Sequence, residues 1–320
     1  MTLHISEAEV REVLTMPQAL EAVEEISRKQ ATGEVLVHPR RRFELSSGGF
    51  FHYMAAADFT AGFLAMKQYT FVRGKIRFLV PLYEIASGDL VAMIEADYMG
   101  QLRTGAASGV ATKYLARTDA SVAAIIGTGG QARTQLEAIA AVRKLKSARV
   151  YGRDPERRKS FAQEMSSRIG VSVEPVSSSS DAAEGAHILC TATTASHPVV
   201  SGAHLASGVH INAIGANHAH KRELDAEAVA GADVIVVDSV DQSRQEAGDL
   251  IIAFKGDETC WTTVKKLCDV VAGKVSGRTS DTEVTLFKSN GIASWDLAVA
   301  MQVYAKAQEK GLGRNLPFWS

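Results

Sequence analysis

The chain has 320 residues, 46% of them apolar, and its 35 Lys and Arg nearly balance 36 Asp and Glu for a formal net charge of −1. That balance argues against a nucleic-acid surface, a polybasic membrane patch or an acidic tail, and neither a membrane-length apolar run nor a signal peptide is readable at the acidic start MTLHISEAEVREVL. The length suggests two domains, each able to bury a core, and Cys190, Cys260 and Cys268, odd in number and without paired metal spacing, read as reduced thiols of a cytoplasmic protein that holds no metal.

In chain order, residues 5–30 predict a turn and then an amphipathic helix, with Pro17 suited to a first helical turn. Residues 35–43, 50–56 and 62–71 read as strands, and 78–83 with 90–96 as a hairpin-like pair turned by SGD. The small-residue-rich stretch 98–118, YMGQLRTGAASGVATKYLART, predicts a helix that delivers the chain to SVAAIIGTGGQARTQLEAIAAV at 121–142. There a short apolar run, a glycine turn and a helix follow one another, the context that makes a GxGxxA string a dinucleotide site. Gly127 permits the tight turn, Gly129 lets a diphosphate approach the backbone, and Ala132 takes the third small position. The helix begins near Gly130, so its free N–H groups and positive dipole end face the phosphates, with Thr128 and Gln131 beside them.

After that helix the alternation continues: strand 148–151, helix 155–169, strand 171–175, then buried strands at 187–193, 210–214 and 234–237. Residues 201–205 and 221–230 are polar or helical connections, and the SSSS run at 177–180 reads as a loop. This is the rhythm of a doubly wound parallel sheet. From residue 285 the chain reads TLFKSNGIASWDLAVAMQVYAKAQEKGLG, and its long helix, starting near Ser294, is read as returning to the first domain. The expected fold is therefore α/β: a Rossmann-type doubly wound sheet over 118–293 and a strand-rich α/β domain over 1–117, joined by the C-terminal helix of 294–320.

A second constellation precedes the glycine turn. Arg41, Lys67 and Arg103 lie in strand-like or small-residue segments, where a buried cation is costly unless neutralised. A substrate carboxylate would serve, and surface ion pairing is the plain alternative. Arg103, beside Gly105 and Ala106 in LRTGAAS, has room for a ligand, and an arginine fork suits a carboxylate.

The segments LRTGAASGVATKYLAR, GTGGQA, IGANHAHKREL and TLFKSNGIASWDLAVA together resemble the ornithine cyclodeaminase and mu-crystallin family, which includes alanine dehydrogenases and imino-acid reductases. The resemblance implies a homodimer with a Rossmann domain, a separate substrate and dimerisation domain made from both chain ends, and a cleft between them. It places Arg41, Lys67 and Arg103 at the substrate carboxylate and the nitrogen-bearing carbon, with Arg40 and Arg42 adjoining Arg41. Thr191, Ala192, Gly215, Ser289 and Gly291 join the glycine turn as candidate cofactor neighbours.

One departure bears on the reaction. Where cyclodeaminase-like members carry an aspartate after the fifth strand's glycine, this chain reads Gly215, Ala216, Asn217. An amide cannot act as a base, whereas reducing a ready-made C=N bond asks only for carboxylate binding, a protonated nitrogen and a hydride. Asn217 is thus assigned to the reacting centre with Lys67 and Arg103; a plain turn residue is the alternative, and His218 and His220 flank it. The expected function is reduction of a small α-imino acid, cyclic or acyclic, by NAD(P)H. A redox-neutral cyclodeaminase, an alanine-type dehydrogenase and a non-catalytic small-ligand binder are the competing readings. The second strand ends Val150, Tyr151, Gly152, Arg153, without the acid that takes the ribose hydroxyls of NAD. Arg153, with Arg157 or Arg158, suits a 2′-phosphate, so NADP(H) is favoured over NAD(H), although Asp154 lies one residue on.

Overall fold

The structure, a computed structural model, describes residues 1–46 and 48–318. Ser47 and the last two positions of the expected 294–320 segment lie outside the described residues. The chain forms two compact units, Met1–Ala107 with Gly291–Ser320, and Ser108–Asn290. The division falls inside a helix, about ten residues before the boundary expected at 117, because small residues run through that helix without a break.

The first unit opens with β1 (Thr2–Ile5), α1 (Glu7–Val13) and α2 (Met16–Thr32). Ser6 and Glu9 close a reciprocal capping box on α1, and Pro17 stands in the first turn of α2. Five antiparallel strands follow, β2 (Val35–Glu44), β3 (Phe50–Asp58), β4 (Phe63–Val72), β5 (Lys75–Glu84) and β6 (Leu90–Glu95), and then α3 (Asp97–Leu115). Glu7 caps α3 by accepting from Tyr98 N at 3.1 Å.

The second unit alternates β7 (Val122–Ile126), α4 (Gly130–Val142), β8 (Ser147–Tyr151), α5 (Pro155–Ile169), β9 (Val173–Pro175), α6 (Ser179–Ala183), β10 (Ile188–Thr191), β11 (His210–Ala213), α7 (Ala226–Ala230) and β12 (Val234–Val237). It continues through α8 (Val240–Glu246), α9 (Gly248–Phe254), β13 (Lys265–Lys266), α10 (Leu267–Val271) and β14 (Thr285–Lys288). The chain then re-enters the first unit as α11 (Ala293–Lys310) and β15 (Arg314–Leu316).

The first sheet has the order β15-β1-β6-β5-β4-β3-β2. Helix α11 lies against β2 to β5 and against α2, and every residue from 291 to 300 is buried, which makes it the core of this unit rather than a surface helix. The second sheet, β13-β12-β14-β11-β10-β7-β8-β9, is parallel throughout. Its first strand, β7, sits between β8 and β10, so the strand order reverses there, the point at which open α/β sheets bind nucleotides.

Two expectations are corrected. The serine run is a loop only in its first half: Ser178 accepts from Asp181 N and caps α6, which contains Ser179 and Ser180. Ile5, taken as the start of a turn, is instead the last residue of β1, a strand held between β6 and β15 by pairing too distant to read locally.

Candidate active site

In the first unit, Lys67 and Arg103 come together as expected, and one carboxylate of the chain pairs with both. Asp296 of α11 bridges them: its Oδ1 accepts from Lys67 Nζ at 2.9 Å and from Arg103 Nε at 3.1 Å. Lys67 is 3% exposed, Arg103 7% and Asp296 1%. Burial first, then the Arg103 charge, pull the Lys67 ammonium down to about 8 against the opposing attraction of Asp296, and Arg40 adds to the lowering. Arg103 Nη1 and Asp296 Oδ2 are buried without a hydrogen-bond partner among the described residues. Gly291, at φ +81°, presses on this guanidinium: a Cβ there would stand 2.7 Å from Arg103 Nη1. Gly291 therefore belongs to the cation cluster of the first unit.

Strand register decides among the three arginines. Directly paired residues share a sheet face, and Lys67 pairs with Met54 while Tyr69, two positions on, pairs with His52 and through it with Arg42. Arg41 instead pairs with Tyr53, on the opposite face, and is exposed. The register shifts between His38 and Arg41, a bulge containing Pro39, and Arg40 from that bulge donates to the Gly291 carbonyl at 3.4 Å. Arg40, not Arg41, is the arginine beside Lys67. On the same face His52 Nδ1 meets the Tyr69 hydroxyl, Phe50 stacks on His52, and the Phe78 ring centre lies 5.0 Å from Lys67 Nζ.

In the second unit, Gly127 has φ +122°, and a Cβ would stand 2.4 Å from the Ala192 carbonyl oxygen, so only glycine serves at this turn. Gly129 caps α4 with extended backbone and has no neighbour within 4 Å of where a Cβ would sit. Gly130 and Gln131 form the first turn of α4, Ala132 is fully buried under it, and the buried Gln131 Oε1 has no hydrogen-bond partner. Thr128, Arg153, Asp154 and Arg157 line a cavity of about 530 Å³ at the ends of β7 and β8. An open glycine approach, free helix N–H groups and this cation-flanked cavity fit a dinucleotide. Asp154 Oδ1 accepts from Glu156 N and Arg157 N at 3.0 and 3.1 Å and caps α5, its Oδ2 lies 3.6 Å from Arg157 Nε, and Arg158 turns back to the Gly152 carbonyl.

The loops after β10, β11 and β14 are fastened by buried acids that the sequence reading passed over. Glu223 accepts from Thr191 Oγ1, Thr193 N, Thr193 Oγ1 and Gly215 N at 2.6 to 2.9 Å. Thr191 and Gly215 are thus held by one carboxylate. Asp238 fastens the Ser289 hydroxyl and Asn290 N. Lys288, wholly buried, pairs with Asp249 at 3.0 Å and donates to the carbonyls of Ala213 and Ala216. For Lys288 a signal was present in TLFK, where a charge ends a segment otherwise suited to the interior. Asn217 follows in the same loop, half-buried, its Oδ1 2.9 Å from His218 Nδ1. Among the described residues no group of three or more His, Cys, Asp or Glu is placed to hold a metal ion.

Residues 2–311 match the family model of the ornithine cyclodeaminase/mu-crystallin family. The chain belongs to that family. It is 38% identical over 241 residues to a Delta(1)-pyrroline-2-carboxylate reductase of Bacillus cereus, covering 75% of this chain and 74% of that one. To the alanine dehydrogenase of Archaeoglobus fulgidus it is 34% identical over 330 residues, 99% of each. The solved Delta(1)-pyrroline-2-carboxylate reductase of Thermococcus litoralis, in complex with NADH and L-proline, matches with a TM-score of 0.94 at 37% identity over 98% of this chain and 100% of that one. Family and fold class are those the sequence led us to expect, and the chain is an NAD(P)-dependent oxidoreductase of the imine-reducing and amino-acid-dehydrogenating kind.

Proposed function

We propose that this protein reduces a small cyclic α-imino carboxylate, such as Delta(1)-pyrroline-2-carboxylate, to the amino acid, with NADPH preferred over NADH. The observation that carries this reading is the absence, among the described residues of the loops ending β10 and β11, of a carboxylate free to act as a base. Asn217 stands where a cyclodeaminase would need one, and Glu223 is saturated by four donors. Redox-neutral deamination needs a carboxylate to take a proton and serve water, whereas imine reduction does not. Arg103, through its unpartnered Nη1, and Arg40 hold the substrate carboxylate. Lys67 gives a proton to the ring nitrogen, which raises the electrophilicity of the adjoining carbon. When bound, the nicotinamide supplies the hydride that this carbon accepts. Asn217, an amide with one donor and one acceptor side, orients substrate or water without changing charge.

The preference for NADPH is supported by Arg153 and Arg157 on the cavity beside Thr128 and by the engagement of Asp154 as a helix cap. A cytoplasmic homodimer is the form we infer. Helix α11 covers one face of the first sheet, while Leu36, Phe43 and Leu64 on the other are 48%, 56% and 37% exposed, and Phe43, Phe51 and Tyr53 stack on one another there. A face so apolar is costly to leave in water.

The test is nicotinamide oxidation with cyclic ketimine carboxylates, iminosuccinate, and pyruvate with ammonia, alongside ammonia release from ornithine with catalytic NAD. Fast NADPH oxidation with the cyclic ketimines and no ammonia from ornithine is expected. Efficient ornithine turnover would overturn the reading, and a higher kcat/KM with NADH than with NADPH would overturn the cofactor preference alone.

A further inference from the structure

We propose that Asp296 is a positioning residue that holds Lys67 as an ammonium ion beside Arg103, ready to protonate the substrate nitrogen. The inference rests on the reading above, in which Lys67 supplies that proton.

The geometry gives Asp296 no other occupation. Its Oδ1 takes both cations, at 2.9 and 3.1 Å, and its Oδ2 bonds to nothing among the described residues. A carboxylate inside a helix segment buried at every residue from 291 to 300 is costly unless it is paired, and here the pairing is with Lys67 and Arg103. At 1% exposure it lies behind Lys67 and Arg103, so it acts through them.

Among the described residues, the groups around Lys67 leave Asp296 as the one anion with a bond to it. Helix α3 contributes Arg103, and its Gly100 comes so close that a Cβ would stand 2.9 Å from Nζ. Strand β2 contributes Arg40, whose charge also disfavours the ammonium, and β5 the apolar ring of Phe78. From β3 and β4 come the hydrogen-bonded His52 and Tyr69 on the same face. Burial and two guanidinium groups favour a neutral amine; the carboxylate from α11 is the charge that opposes them, with a weaker cation–π contribution from the Phe78 ring. Removing that charge would shift Lys67 toward the neutral amine and leave fewer molecules with a proton to give at a given pH.

Two measurements on the full-length protein decide the matter: the Lys67 titration by NMR of the lysine-labelled chain, and the alkaline limb of kcat/KM for ketimine reduction. Asp296→Asn is expected to move both to lower pH by about one unit or more, the usual effect of losing an opposite charge in contact. Asp296→Glu, which keeps the charge and changes the reach, is expected to lower kcat while leaving both pH values near those of the wild type. Unchanged titration in Asp296→Asn would overturn the proposal. Should that variant fail to fold, a shift to lower pH in Asp296→Glu would overturn it equally. A wild type that reduces no ketimine, yet shows the Lys67 shift on Asp296→Asn, would sink the functional reading and leave the coupling of Asp296 to Lys67 standing.

Discussion

Replacing Arg103 by methionine keeps the aliphatic length of the side chain and removes its guanidinium. In the structure Nε of that group donates to Asp296, and Nη1 is a buried donor without a partner among the described residues, which the proposed function gives to the substrate carboxylate. A charge-assisted hydrogen bond to a substrate carboxylate is worth about 1.5–3 kcal/mol, which is about tenfold to 150-fold in kcat/KM. Asp296 keeps Lys67 as a partner, so no buried carboxylate is orphaned, and the loss of stability should stay below the 3–5 kcal/mol, roughly, of a broken isolated pair. The same substitution removes a charge that depresses the Lys67 ammonium, so the alkaline limb should move to a pH above about 8. That is opposite in direction to the shift expected for Asp296→Asn. Steady-state NADPH oxidation across pH, with nucleotide affinity measured in parallel, reads both effects. Normal nucleotide binding with undiminished kcat/KM would show that Arg103 is only a structural ion-pair partner and that the substrate has been put in the wrong place.

Three further outcomes are expected. Gly127→Ala, which must adopt φ near +122° and drive a Cβ into the rigid Ala192 carbonyl, should weaken dinucleotide binding and lower the melting temperature, at a strain of about 1–3 kcal/mol; unchanged calorimetric affinity would contradict this. Arg153→Ala and Arg157→Ala should each raise KM for NADPH by about tenfold while sparing NADH, on the strength of a charge-assisted contact to a 2′-phosphate; equal losses with both nucleotides would remove the 2′-phosphate from the argument. His210 is fully buried between Thr285 Oγ1 and Asn212 Oδ1, and burial, reinforced by Arg278, pushes its ionisation down to about 3. Its folded value lies below the unfolded one of about 6.5, so the unfolded chain gains the proton first. Stability should fall as pH drops from there toward 3, by up to about 1.4 kcal/mol per pH unit. Denaturant unfolding at several pH values should show this slope, and His210→Asn should flatten it.

The parts of the molecule legible in the sequence were those set by local pattern. The β7–turn–α4 unit announces itself because apolar run, glycines and helix are contiguous, and the parallel sheet follows from the alternation after it. Lys67 and Arg103 stood out as cations in segments that otherwise read as interior. What escaped was set by partners far away in sequence. Strand β1 exists because β6 and β15 flank it. Arg40 displaced Arg41 because one extra residue near Pro39 breaks the alternation of β2, and such a bulge is visible only in the pairing with β3. Asp296, Glu223 and Asp249 look in isolation like ordinary acids of helices and loops; their role appears once their donors, from distant segments, are in place. Even so, the aspartate in SWDLAVA, alone among apolar neighbours, was a signal of a buried charge that had to be paired.

The way the first unit is assembled from both ends of the chain has a consequence for biosynthesis. Domains generally fold as units as the polypeptide emerges from the ribosome. The second unit is one continuous segment, whereas Lys67 and Arg103 are made 229 and 193 residues before the aspartate that neutralises them. Until α11 emerges, closing the sheet over these cations would bury them unpaired, and β1 lacks its outer neighbour β15. A chain cut short before residue 291 therefore lacks both the helix that covers this face of the sheet and the carboxylate that pairs with its cations.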